Sequence, residues 1–131
     1  MKKLTLFAPF SLVFFSCNNT NQPIASDVSS LDLKRGEIVS CGPQDGESFG
    51  TVAFNASVPS DLRNDFNIAI ALLHSFEYDE SEKMFAKVID KAPDCAMAYW
   101  GVAMSNFHPL WTPPSTTELQ KGTQAIQIAR S

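Results

Sequence analysis

The sequence predicts an all-α fold, and three observations carry that expectation. From Ser60 onward the apolar residues leave an irregular, β-leaning distribution and fall into helical spacing, with no proline or glycine before Pro93. Asp79, Asp94 and Ser115, residue types that suit helix N-caps, stand ahead of three of the apolar runs. Pro93 and the proline-rich stretch "HPLWTPPS" separate those runs from one another.

At 131 residues the chain holds at most one ordinary domain, and 44% hydrophobic content with ten Phe suffices for a core. A formal charge of −4 and a pI near 5.0 give no basic footprint, so nucleic acid is not an expected partner.

The first sixteen residues read as an export signal. Lys2 and Lys3 form a positive start, and Leu4 to Phe15 is a mainly apolar run of twelve residues, too short to span a bilayer comfortably. The end of the run, "LVFFSC", resembles the lipobox of bacterial lipoproteins, although Phe14 and Phe15 stand where that pattern prefers Leu and a small residue. The resemblance implies cleavage before Cys17, acylation of its thiol and an extracytoplasmic, membrane-anchored location in a bacterial cell envelope. The membrane is then reached only through the lipid. Loss of Lys2 and Lys3 takes the formal charge from −4 to −6. Cys41 and Cys95 remain, in a compartment where a disulfide is permitted but not required.

Residues 17–36 are rich in Asn, Ser, Asp and Gln and read as a disordered tether. Residues 37–60 read as an extended or hairpin leader: β-leaning runs at Ile38 to Ser40 and Thr51 to Phe54 flank a turn cluster containing Asp45-Gly46. Four helices follow. The first carries Phe66, Ile68, Ala69, Ile70, Leu72 and Leu73, apolar on nearly all sides, as in a buried helix. Asp79, with Glu82 three residues on, fits the N-cap of the second, where Ser81, Phe85, Val88 and Ala92 share a face. Asp94 fits the cap of the third, which reaches about Phe107 because Pro109 drives His108 out of the α region. Ser115 and Glu118 form the S-x-x-E capping box of the fourth, which runs to the end.

These four helices resemble two tetratricopeptide repeats over residues 61–131. With Pro93 at the closing proline of that pattern, the first unit is 62–95: Ala69 and Leu72 fall at the small and large positions of helix A, Tyr78 starts the turn, Ser81 takes the usual Ala, and Phe85 and Val88 follow. The second unit, 96–131, places Tyr99, Val102 and Ala103 on the helix A pattern. It resumes at Leu119, Gly122, Ile126 and Ala129 after about seven inserted residues. Phe76 departs from the pattern at a position that usually holds Gly, and the second unit lacks its closing proline. More narrowly, "ALLHSFEYDE" and "DCAMAYWGVAMSNFHPLW" resemble the opening of a group of bacterial tetratricopeptide-repeat proteins with no assigned activity. Those chains are typically longer, which leaves open that this one is an N-terminal piece whose activity lies elsewhere.

The resemblance implies a protein- or peptide-binding scaffold. Its concave face would present Arg63, Phe66, Ile70, Leu73 and His74, then Met97, Trp100, Met104 and Phe107. These are mostly apolar where repeats that clamp peptide carboxylates carry Lys and Asn, so an apolar peptide, a helix or another part of the same polypeptide is expected there. Two repeats bury little on their own, so self-association through the C-terminal helix is also open.

A metal-handling lipoprotein is the alternative. Cys95, Met97, Met104 and His108 are soft or imidazole donors of the kind copper uses, and His74 and His108 lie one 34-residue period apart. Without a close H-x-x-x-H or C-x-x-C pair, packing explains the cluster better: Ala96, Ala98, Gly101 and Ala103 let helices approach while Tyr99, Trp100 and Met104 fill the space. None of the phosphate, dinucleotide, zinc-protease or serine-hydrolase motifs is present, so neither a catalytic residue nor a cofactor is expected.

Overall fold

A computed structural model describes residues 25–38, 50–108, 110 and 112–131. The expected signal peptide, Cys17, Cys41 and the Asp45-Gly46 turn lie outside them. Among the described residues there are five α-helices, one 3-10 turn and no strand: α1 (Ala25–Ser30), the turn Ser60–Leu62, α2 (Arg63–His74), α3 (Tyr78–Lys91), α4 (Ala96–Asn106) and α5 (Thr116–Ala129). No helix among the described residues is long and apolar enough to cross a membrane.

The all-α expectation holds. Helices α2 to α5 run antiparallel in succession, each packed on the next. Asp65 at the start of α2 meets Lys87 and Lys91 near the end of α3, and Ser81, Glu82 and Phe85 of α3 face Ser105, Asn106 and Gly101 of α4. Helices α2 and α4 therefore lie on one side and α3 and α5 on the other. Phe66, Ala69, Leu72, Phe85, Val88, Ala98, Tyr99 and Val102 are sealed between them, each with no exposed surface.

Gly101 sets the spacing of α3 and α4. A Cβ at this position would lie within 2.5 Å of the Phe85 ring carbon Cδ1, and closer to Cε1 and Cζ. The ring is held on its other side by an edge-on contact with Phe66, at a centroid distance of 5.6 Å. Ser81, at the position where a small apolar residue was the usual choice, ties three helices: its hydroxyl donates to the Ala69 carbonyl of α2 and accepts from Ser105 of α4. Glu82 does the same with charge. Only 1% exposed, its carboxylate accepts from the Lys34 backbone N–H, from Asn106 Nδ2 and from Lys121 Nζ of α5.

Helix ends differ from expectation at two places. Ser115 and Glu118 form the expected capping box, with the Glu118 N–H donating to Ser115 Oγ at 3.2 Å and the Ser115 N–H to Glu118 Oε2 at 2.7 Å. Asp79 and Asp94 are not caps: α3 starts two residues earlier, with Glu77 at its N-cap, and α4 one residue later, with Cys95 there. Asp79 instead sits in the first turn of α3, where it suits the helix dipole and pairs with Lys34. At the end of α2, Phe76 adopts φ +65 in the left-handed region. The Glu77 N–H bonds the Leu72 carbonyl and the Phe76 N–H the Leu73 carbonyl, a complete Schellman closure built on a residue other than Gly.

The tether expectation is corrected for residues 25–36. Leu31 and Leu33 are 2% and 7% exposed within the core, following the short α1. Lys34 and Arg35 pair with Asp79 and Asp90, Lys83 donates to the Glu37 carbonyl, and Gln124 of α5 bonds Ser30. All of these partners lie on α3 and α5, so the stretch crosses the outer side of those helices. Its few apolar residues carry no period, and what orders them is a set of acids some 45 to 55 positions away.

Candidate binding surface

The side formed by α2 and α4 is where the sequence placed a groove, and its two halves differ. In the first half Phe66 is fully buried, and Ile70 and Leu73 are 3% and 9% exposed. As solvent-facing groove residues these three are corrected. The leader contributes to this cover: Phe54 stacks on Trp100 (centroids 5.9 Å, planes 13° apart) and tilts against Phe66 (6.1 Å), and Val52 and Ala56 pack against the core. Arg63 points along the leader rather than outward, donating to the carbonyls of Ala56 and Val58. His74 is exposed and borders a shallow hollow with Val52, Phe54 and Ile70.

The second half is open. Trp100 and Met104 of α4, Phe107 at its C-cap, and Leu119 and Ile126 of α5 line an apolar cleft of about 470 Å³, with Gly122 on its floor and Glu118 and Arg130 at opposite ends. Phe107 and Leu119 are 52% and 45% exposed, large apolar side chains left uncovered. Trp100, Ala103, Met104 and Phe107 stand 34 positions after Phe66, Ala69, Ile70 and Leu73, so the same register is buried in the first half and accessible in the second. Met97 is half-buried against the core.

His108 pairs with Glu118 at one end of the cleft. Its Nδ1 lies 2.9 Å from the Thr112 carbonyl and its Nε2 3.0 Å from Glu118 Oε1, while the ring rests against Tyr78 at 5.4 Å. Both nitrogens face acceptors, and only the doubly protonated ring can donate to both. The Glu118 carboxylate accordingly raises the His108 pKa above its usual value, and burial opposes it only in part. In return His108, with the Ser115 N–H and hydroxyl, lowers the Glu118 pKa to about 2.

The metal donors are not brought together. His108 is engaged by Glu118 and Thr112, His74 lies by the leader, and no group of three or more His, Cys, Asp or Glu capable of holding a metal occurs among the described residues. Cys95 is buried and has no disulfide among them, and desolvation raises its thiol pKa. Tyr99 is core: its hydroxyl donates to the Pro93 carbonyl at 2.7 Å, and burial pushes its pKa up to about 12.

No protein-family model, curated protein or solved structure matches this chain. Functional inference therefore rests on the molecule's own geometry. Sequence reasoning had not assigned Phe54, Leu119 or the His108–Glu118 pair to the surface. The alternation Val52, Phe54, Ala56, Val58 was the available signal for the first.

Proposed function

We propose that this chain is an exported, lipid-anchored helical-repeat scaffold of the tetratricopeptide type, which holds a partner protein by an amphipathic helix laid in the α4–α5 cleft. The observation that carries the reading is the cleft itself: five large apolar side chains converge there with small residues on the floor, in the register that is covered in the preceding helix pair. A helix fits such a site because side chains at i, i+3, i+4 and i+7 can enter between two antiparallel helices. Glu118 and Arg130 at opposite ends would orient it. The resemblance of Leu62 to Cys95 to the repeat pattern and the lipobox-like "LVFFSC" support the architecture and the address.

A photo-crosslinking residue placed at Ile126 in the producing cell tests the surface. One adduct of defined mass is expected, absent when the crosslinker is moved to Lys87 on the far side and lost on Leu119→Ser. Identical adducts from both positions would refute a dedicated cleft. The intact mass of the membrane-extracted protein tests the address: the chain from Cys17 plus acyl groups is expected, and an unprocessed N-terminus would refute it.

A further inference from the structure

The groove over α2 is closed by the chain itself, in a manner that suits an exchangeable ligand. Val58 is buried and Val52 and Ala56 half-buried, while Ala53, Asn55 and Ser57 between them are exposed. This is the one-sided pattern of a strand, yet no strand adjoins it among the described residues. The hydrogen bonds that its backbone makes with other described residues come from Arg63, whose Nη1 and Nη2 reach the Ala56 and Val58 carbonyls at 2.9 and 3.1 Å. One guanidinium holding two main-chain carbonyls grips an extended chain whatever its side chains. Phe54 supplies the selectivity by stacking on Trp100, but it remains 36% exposed, and a hollow of about 370 Å³ stays open between it and Ile70, Ala71 and His74. Gly50, at φ +83 with nothing within 4 Å of its missing Cβ, provides a pivot at the entry of the segment.

We propose that residues 52–58 are a displaceable internal ligand, and that the groove over α2 and α4 is a binding site for an extended peptide carrying an aromatic residue flanked at alternate positions by small aliphatic ones. The site is distinct from the α4–α5 cleft and does not depend on it; Trp100 is the wall the two share. An incoming peptide stacks its aromatic ring on Trp100, replaces Val52 and Ala56 with its own side chains and offers its carbonyls to Arg63. Because the groove is open only for the fraction of time that the leader is undocked, apparent affinity falls by that fraction. The leader therefore acts as a threshold that only a better-fitting segment passes.

The probe is a fluorescein-labelled peptide with the sequence of residues 50–60, GTVAFNASVPS, titrated by anisotropy into the full chain. A Val52→Ser/Phe54→Ser variant is expected to bind it about ten-fold or more tighter than the unaltered protein. The same peptide with Ser in place of Phe should bind neither. Equal affinity for both proteins, or no binding to a variant that keeps its helical circular dichroism, overturns the proposal. Hydrogen exchange on the unaltered protein tests it without substitution: the amides of residues 51–57 should exchange about 100-fold or more faster than those of α2. Protection equal to that of α2 would make the segment fixed core and also overturn it.

Discussion

Replacing Gly101 with Ala adds one methyl group to the middle of α4 and brings two effects of opposite sign into conflict. Helix propensity favours the change by about 1 kcal/mol. Packing opposes it, because the new Cβ falls on the Phe85 ring, 2.5 Å from Cδ1 and nearer to two other carbons. The ring cannot retreat: Phe85 has no exposed surface and its edge contact with Phe66 fixes the far side. Overpacking of this kind costs about 1–3 kcal/mol, and at this depth of overlap the upper end applies before propensity is subtracted. A net loss of about 1–2 kcal/mol is expected. Gly122 of α5 supplies the control, since its Cβ would meet Ala103 atoms at 3.5 to 3.8 Å, ordinary contact distances. Gly122→Ala should therefore gain up to about 1 kcal/mol from propensity alone. Urea titration followed by circular dichroism reads both. With an m-value of about 1–3 kcal/mol/M, the two midpoints should separate by about 0.3–3 M, in opposite directions from the unaltered protein. A Gly101→Ala midpoint at or above that of the parent would refute the packing argument.

Two further outcomes follow from the polar contacts. Glu82→Ala leaves Asn106, Lys121 and the Lys34 N–H without their shared acceptor inside the fold, and should cost about 3–5 kcal/mol in the same titration; a loss below about 1 kcal/mol would show the node to be replaceable by water. The His108–Glu118 clasp should make stability pH-dependent on both sides. A raised His108 pKa contributes stability that is complete below the unfolded value near 6.5 and is lost as pH rises through the folded value. A Glu118 pKa lowered to about 2 contributes stability present above the unfolded value near 4.5 and lost as pH falls toward 2. The clasp is thus strongest between about pH 4.5 and 6.5. The urea midpoint should drop between pH 5.5 and 8.5, and His108→Gln should flatten that drop; an unchanged slope in the variant would assign the dependence to other groups.

The four long helices were legible because period and punctuation agree locally: the apolar spacing from Phe66 to Leu73, the proline at 93 and the Ser115–Glu118 box each act within a few residues. What escaped is what acts at a distance. Leu31 and Leu33 sit among polar residues and show no period, and their burial depends on α3 and α5. The alternation around Phe54 was visible as a β-leaning run, but its destination was not, because its partner is a helix face, Trp100 included, rather than another strand. Asp79 and Asp94 have the composition of caps, yet the Glu77 and Cys95 starts are set by the turns that precede them. The spacing put Phe66, Ile70 and Leu73 on an open face, and neither their burial nor the arrival of Phe54 there could be read from it.

The stretch ahead of the helix pairs touches both of their outer sides: residues 30–37 lie against α3 and α5, and residues 52–58 against α2 and α4. An array of stacked helix pairs ordinarily behaves as a row of units, each coupled only to its neighbours and free to fray from either end. Here residues ahead of the first helix pair are bonded to the second, Ser30 to Gln124 across 94 positions, so loosening that stretch releases contacts on the second pair. Such a strap converts a row into a closed loop of dependencies. It also delays completion of the fold until α5 exists, because the strap has no full set of anchors before then.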